Sequence, residues 1–268
     1  MTTTGARDVH RGAVDTRTLP LYSAGEIDVP FVIAGASEVM ARDTRWAEHS
    51  HPTHELLWNS RGASTATVGS RTWTITSSVG LWIPAGVPHT GWMAAGTWSR
   101  AAQFSVHEAP PLSTVPVAVD ISDMLRLLLD RLGLDTLAPS SRATTEALVL
   151  DVLEPAEQQL LLRVPESLRL APIVDAVLQN PADPTTLAQW ASRLGLSSRT
   201  ITRMLQEETG VGFSRWVSTA RAHRAIALMA QGESIEDVAS AVGFRSVSAF
   251  GTAFRRVTGM TPGQFRAV

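Results

Sequence analysis

Two stretches of this chain, TTLAQWASRLGLSSRTITRMLQEETG at 185–210 and GESIEDVASAVGFRSVSAFGTAFRRVTG at 232–259, follow one local pattern. Each has a hydroxyl residue placed to cap a helix, an apolar stripe at helical spacing, a glycine that stops the helix, and a second capping serine. In the first, Thr186 and Gln189 form a capping box, Leu187, Trp190, Ala191 and Leu194 make the apolar face, and Gly195 ends it. Ser197 then caps a helix with Ile201, Met204 and Leu205 inward and Ser198, Arg199, Thr202 and Arg203 outward. In the second, Ser234 with Asp237 caps a helix faced by Ile235, Val238, Ala239 and Val242, and Gly243 stops it. Ser246 opens the next, with Ala249, Phe250, Ala253 and Phe254 expected inward and Val247, Ser248, Gly251, Thr252, Arg255 and Arg256 outward. Between them, Ser214 to Ala230 reads as one longer helix, and Thr261 with Pro262 opens a last short one. The C-terminal part is therefore expected to be all-α.

Charge separates the two parts of the chain. Residues 1–165 hold 12 Arg against 17 acids, whereas residues 166–268 hold 11 Arg against 8 acids. A basic part whose outward helix faces carry arginine suggests a polyanionic partner. All 23 basic residues are Arg, a bias read as genome composition. With no cysteine, neither a disulfide framework nor a thiolate zinc site is available, and a reducing compartment fits. No apolar run approaches the roughly 20 residues that span a bilayer. The start, MTTTGARDVHRG, lacks the apolar core of a signal peptide, so a cytoplasmic protein without a membrane partner is expected.

From Phe31 to about Ser105 the texture is different: FVIAGA, ELLWNS, ASTATVG, RTWTIT, GLWIP, HTGWM and TWSRAAQFS are short β-prone runs broken by turn residues. Such spacing predicts a sandwich or barrel. After Pro116, DISDMLRLLLDRLGL places Ile121, Met124, Leu125, Leu128 and Leu129 at helical spacing, and a second helix is expected from about Arg142 to Leu162. The Pro-flanked RVPESLRLAP, 163–172, marks the boundary. The expected fold class is α+β in two domains: a β-barrel with linking helices over 1–165 and an all-α domain with two helix-turn-helix units over 166–268.

The first helix pair carries LA at 187–188, GLS at 195–197 and TG at 209–210; the second carries IEDVA at 235–239, GF at 243–244, FRR at 254–256 and TP at 261–262. On these residues the segment 185–266 resembles the DNA-binding domain of the AraC/XylS family of transcription regulators. The resemblance implies two recognition helices in successive major grooves about 34 Å apart on double-stranded DNA, and a homodimer. By position, Ser198, Arg199, Thr202 and Arg203 are the first unit's DNA-binding candidates, and Val247, Ser248 and Thr252 the second's. Arg255 and Arg256 are expected on phosphates, Val247 on a thymine methyl, and Arg245 at phosphate or in solvent. Trp190 and Trp216 fall at core positions, and His223 on the linking helix reads as a surface or satisfied histidine.

HSHPTHELLWNSRG, 49–62, puts three histidines and a glutamate within seven residues. In one extended strand His49, His51 and Glu55 would share a face and His54 the other. GLWIPAGVPH offers a turn with Pro84 second and Gly86 fourth, followed by His89 as a possible fourth ligand. These stretches resemble the two cupin motifs, HxHxxxE followed six residues later by Gly, and PxGxxH; the resemblance implies a three-histidine, one-glutamate metal set of His49, His51, Glu55 and His89. An N/O set without thiolate suits a divalent Fe, Mn, Ni or Zn ion. Two other readings stay open: an organic pocket lined by these side chains, and a structural remnant. Six tryptophans, Trp46, Trp58, Trp73, Trp82, Trp92 and Trp98, fall in the same region, and those on the ligand face would wall an apolar pocket. His54 and His107 are expected to be structural. The leading function is a regulator whose DNA binding responds to a metal or small molecule; the alternative is a metal-dependent cupin enzyme, a dioxygenase or isomerase, joined to a DNA-binding module.

Overall fold

The computed structural model describes residues 14–157 and 159–267. The N-terminal MTTTGARDVHRG lies outside them. Two sheets make up the N-terminal domain. One runs β1 (Asp15–Arg17), β3 (Thr44–His49), β8 (His89–Met93), β5 (Ser64–Val68), β6 (Arg71–Ile75), β11 (Leu161–Arg163). The other runs β10 (Val117–Asp120), β7 (Val79–Ile83), β4 (His54–Arg61), β9 (Trp98–Phe104), β2 (Ile33–Val39).

Strand alternation decides what each face buries. On β4, Glu55 and Leu57 line the cavity between the sheets, while Leu56 and Trp58 face the other way. On β9, Ser99, Ala101 and Gln103 take the cavity side, and Ala102 and Phe104 the outer one. That outer face is covered by α1 (Asp123–Leu132) and α2 (Pro139–Val152), which add Leu125, Leu129, Leu132 and Val149 to one core with Trp58, Trp82 and Phe104.

Two expectations for this region need correction. Met124, read as inward, is 54% exposed, because the buried stripe is Leu125, Leu129 and Leu132, one position further round the helix. The helix expected to reach Leu162 stops at Val152: Leu153 is extended, and Glu154 stands before Pro155, where helical backbone is disfavoured. The chain then forms β11, the edge strand beside β6.

The helical domain begins with α3 (Ala171–Gln179). The first pair is α4 (Leu187–Leu194) and α5 (Ser198–Thr209), followed by the long α6 (Phe213–Ala230). The second pair is α7 (Ile235–Ala241) and α8 (Val247–Thr258), with α9 (Pro262–Ala267) at the end. The capping box of Thr186 and Gln189 is formed, and Ser197, Ser234 and Ser246 each accept a backbone N–H three residues on. Gly243 needs its missing side chain twice over: its φ is +82°, and a Cβ there would lie 2.9 Å from the Cα of Ala182. Ala249, expected inward, is exposed; Phe250, Phe254 and Thr258 fill the buried side instead.

The two parts pack on each other. Ala63, Val79, Ala118, Ala156 and Leu160 share a core with Ala222, Ile226, Met229 and Phe250. The Trp216 indole N–H donates to the Arg163 carbonyl of β11 at 2.7 Å. His223 is not a surface residue: its Nδ1 lies 2.6 Å from Thr74 Oγ1 of β6, its Nε2 is buried, and burial pushes the imidazole down to about 4. The ordinary value is about 6.5, so below it the separated state takes up a proton that the packed state refuses. The contact should be strongest above pH ~6.5 and weaken progressively toward about 4. His223→Gln should flatten that dependence in denaturation midpoints measured across this range; an unchanged slope would assign it to other groups.

Candidate metal centre and DNA-facing helices

The histidine-rich stretch is two strands, not one. His49 ends β3 in one sheet, Pro52 and Thr53 form a bend, and His54 begins β4 in the other sheet. The parity argument therefore fails, since residues 49 and 55 belong to different strands. The side chains converge all the same, because the crossover carries His51 between the sheets at the point where β8 pairs His89 with His49. The delivering turn also differs from expectation: Val87 N donates to the Pro84 carbonyl, which makes Pro84 the first residue and Gly86, at φ +74°, the third. A positive φ at the third position is what a type II turn requires.

One nitrogen from each of His49, His51 and His89 lies within 4.8 Å of the others. Glu55 adjoins them, with Oε1 3.5 Å from His51 Nε2 and Oε2 3.4 Å from His89 Nε2. The ring tautomers follow from the backbone. His49 Nδ1 is 2.8 Å from the Ala47 carbonyl and His89 Nδ1 is 3.0 Å from the Val87 carbonyl. A carbonyl only accepts, so each Nδ1 carries the hydrogen and each neutral ring keeps its Nε2 lone pair for the centre. Glu55 is buried, and its Oε2 has no hydrogen-bond partner. Imidazole lone pairs gathered beside a carboxylate oxygen that has no donor repel it unless a proton or cation stands among them. This donor set fits a divalent ion.

The charged and titratable groups of this centre act on one another. Burial pushes His49 down, and the neighbouring His89 and His51 add to it. Burial also acts to lower His89, but the Glu55 carboxylate outweighs it and holds that ring above the ordinary value. Burial would raise Glu55, yet His89 and the other two imidazoles hold it below the usual carboxylate range. Gln103, directly across from Glu55 on β9, donates from Nε2 to Glu55 Oε1 at 2.7 Å and accepts from the Thr53 hydroxyl. Sequence reading missed this positioning residue, since nothing local links it to position 55.

Beyond the imidazoles lies a cavity of 310 Å³ walled by Met40, Leu57, Ala66, Ile75, Met93 and Trp46. Of the six tryptophans considered, Trp46 alone lines it, and its buried Nε1 has no partner. His54 points away as expected: it stacks on Trp82 and accepts from Ala85 N at 3.0 Å.

In the helical domain, Arg199 and Arg203 are exposed on α5, with Ser198 and Thr202 partly covered beside them. Arg203 has Glu207 3.7 Å away, an exposed pair in the same helix. Val247, Ser248, Thr252 and Arg255 are exposed on α8, and Arg245 is exposed just before it. Arg256, also exposed, lines a cleft shared with β11 and α6. Trp190 and Trp216 are core, 6% and 1% exposed.

Two family matches span most of the chain: an AraC-like ligand binding domain at residues 36–153 and a helix-turn-helix domain at 190–267. The chain belongs to the AraC/XylS family. This AraC/XylS regulator is 27% identical over 223 residues to the transcriptional regulator NimR of Escherichia coli, covering 82% of this chain and 81% of NimR. It is 41% identical over 93 residues to RipA of Corynebacterium glutamicum, over 35% of this chain and 28% of RipA. Among solved structures, ToxT of Vibrio cholerae aligns over 88% of this chain and 97% of its own with 14% identity and a TM-score of 0.37. The chain is a DNA-binding transcription regulator with an N-terminal ligand-binding domain, and no described helix is long and apolar enough to cross a membrane.

Proposed function

We propose that this regulator holds a divalent metal in its β domain, alone or together with a small molecule, and that occupancy alters how the helical domain engages DNA. The observation carrying this is the convergence of three imidazole nitrogens within 4.8 Å beside a buried, unpartnered carboxylate oxygen. His49, His51, Glu55 and His89 would hold the ion, which supplies positive charge and a Lewis-acidic position to the cavity. Fe, Mn, Ni and Zn suit such donors. The apolar wall of the cavity supports a second reading, in which an organic effector binds there with the histidines as polar lining. The cupin-like domain is read as a sensor rather than an enzyme, in keeping with relatives that are named regulators. Met124, Leu127 and Leu148, 54%, 67% and 39% exposed on α1 and α2, support a homodimer through those helices.

The deciding experiment is elemental analysis of the purified protein, followed by DNA-binding titrations before and after chelation. Metal can change DNA affinity only by the ratio of its own affinities for the two states, roughly 5- to 150-fold in coupled systems. Protein free of metal, with DNA binding indifferent to added ions, leaves the organic pocket as the reading.

On the DNA side, α5 and α8 are read as recognition helices, with base contacts from Arg199 and Arg203. Replacing either by alanine should cost about 1–3 kcal/mol on the true operator and relax preference in one half of the site. Arg255→Ala should weaken all sequences alike and flatten the salt dependence by about one unit. Unchanged affinity and salt slope in all three variants, on an operator mapped by footprinting, would overturn these roles.

A further inference from the structure

A second and larger cavity, 580 Å³, lies outside the sensor interior, between β11, the start of α6 and the end of α8. Its wall takes Arg163 from β11, Arg215 from α6 and Arg256 from α8, and includes no Asp or Glu. Among the described residues none of these three arginines is in an ion pair. Ser214 and Ser218 add hydroxyls to the same wall, and His223 borders it. α6 starts from Gly212, which offers no side-chain cap to the first N–H groups of the helix. Three exposed arginines line one cleft, and no carboxylate of the wall offsets their charge.

We propose that this cleft binds a phosphate-bearing anion. Arginine forks and hydroxyls are donors that a phosphate takes, and three arginines together favour it over a singly charged carboxylate. DNA is not the partner this cleft fits. Thr209 and Arg256 line it from the last turns of α5 and α8, whereas a recognition helix reads the groove with its N-terminal part, and the opposite wall is a strand of the sensor sheet. Because Arg163 belongs to the sensor sheet and Arg215 and Arg256 to the helical domain, a phosphate gripped by both favours the packed arrangement of the two.

Calorimetry on the full-length protein, with inorganic pyrophosphate as probe, tests this. Binding should be saturable at one per chain. Arg163→Gln and Arg215→Gln should each weaken it about tenfold, the loss of one charge-assisted hydrogen bond, with melting temperatures that stay near wild type. Arg199→Gln, which removes the same charge from the DNA-facing helix, should leave it nearly unchanged. The proposal is overturned if no saturable binding is seen, or if Arg199→Gln is as damaging as Arg215→Gln, which places the anion on the DNA face. Citrate binding as tightly as pyrophosphate overturns the assignment to phosphate.

Discussion

The double substitution His51→Ala with Glu55→Ala is expected to abolish stoichiometric metal binding while the protein stays folded. The two residues supply half of the donor set, and Glu55 Oε2 is the buried atom that lacks any other partner. The loss should exceed the roughly 10- to 100-fold that removal of an outer hydrogen-bond partner costs. Gln103→Ala removes such a partner, the donor to Glu55 Oε1, and should fall within that range. His54→Ala is the control, because that ring faces Trp82 and the Ala85 amide rather than the centre. It should bind metal normally and lose only the stability of one hydrogen bond, about 1 kcal/mol. Isothermal titration with Zn(II), Mn(II), Ni(II) and Fe(II) reads all three. Wild-type affinity retained in the double variant would remove these side chains from the metal site.

Trp216→Ala should cost about 3–5 kcal/mol of stability, a large part of the roughly 5–15 kcal/mol that holds a domain folded. Trp216 is 1% exposed and packs with Leu170, Ile173, Ile201 and Leu205, so deletion leaves a cavity among side chains from several elements. Its N–H also joins the helical core to β11. Trp216→Phe separates the two effects: most of the packing returns, and the Arg163 carbonyl loses its donor, a cost of about 1–3 kcal/mol. Urea denaturation of the two variants measures both numbers. A cost below about 1 kcal/mol for Trp216→Ala would mean that the helical domain does not depend on this core.

What was legible in the sequence was local. Thr186, Ser197, Ser234, Ser246 and Gly195 specify where helices begin and end through hydrogen bonds and backbone conformations within a few residues of themselves. The helix pairs are therefore found where the pattern places them, and so is the inward position of Trp190 and Trp216. Single residues on those helices were harder. Ala249 and Met124 lie at the margins of their apolar stripes, and only the neighbours in three dimensions decide which side of the margin is buried.

The metal candidates show the same division. Residue types and spacing singled out His49, His51, Glu55 and His89, but the reason offered, one strand with shared parity, does not hold. Sheet pairing brings them together: β3 and β8 align His49 with His89, and the chain crosses to the other sheet between His51 and Glu55. Gln103 and Thr74 are likewise invisible to local patterns, since their partners stand 48 and 149 residues away. The sequence by itself determined the helix-turn-helix units and the identity of the possible ligands, because caps, stripes and donor chemistry are properties of neighbouring residues. Only the tertiary structure decided how those candidate residues meet, which residue positions them, and that a three-residue strand ties the N-terminal sheet to the helical domain, because each depends on pairing between segments remote along the chain.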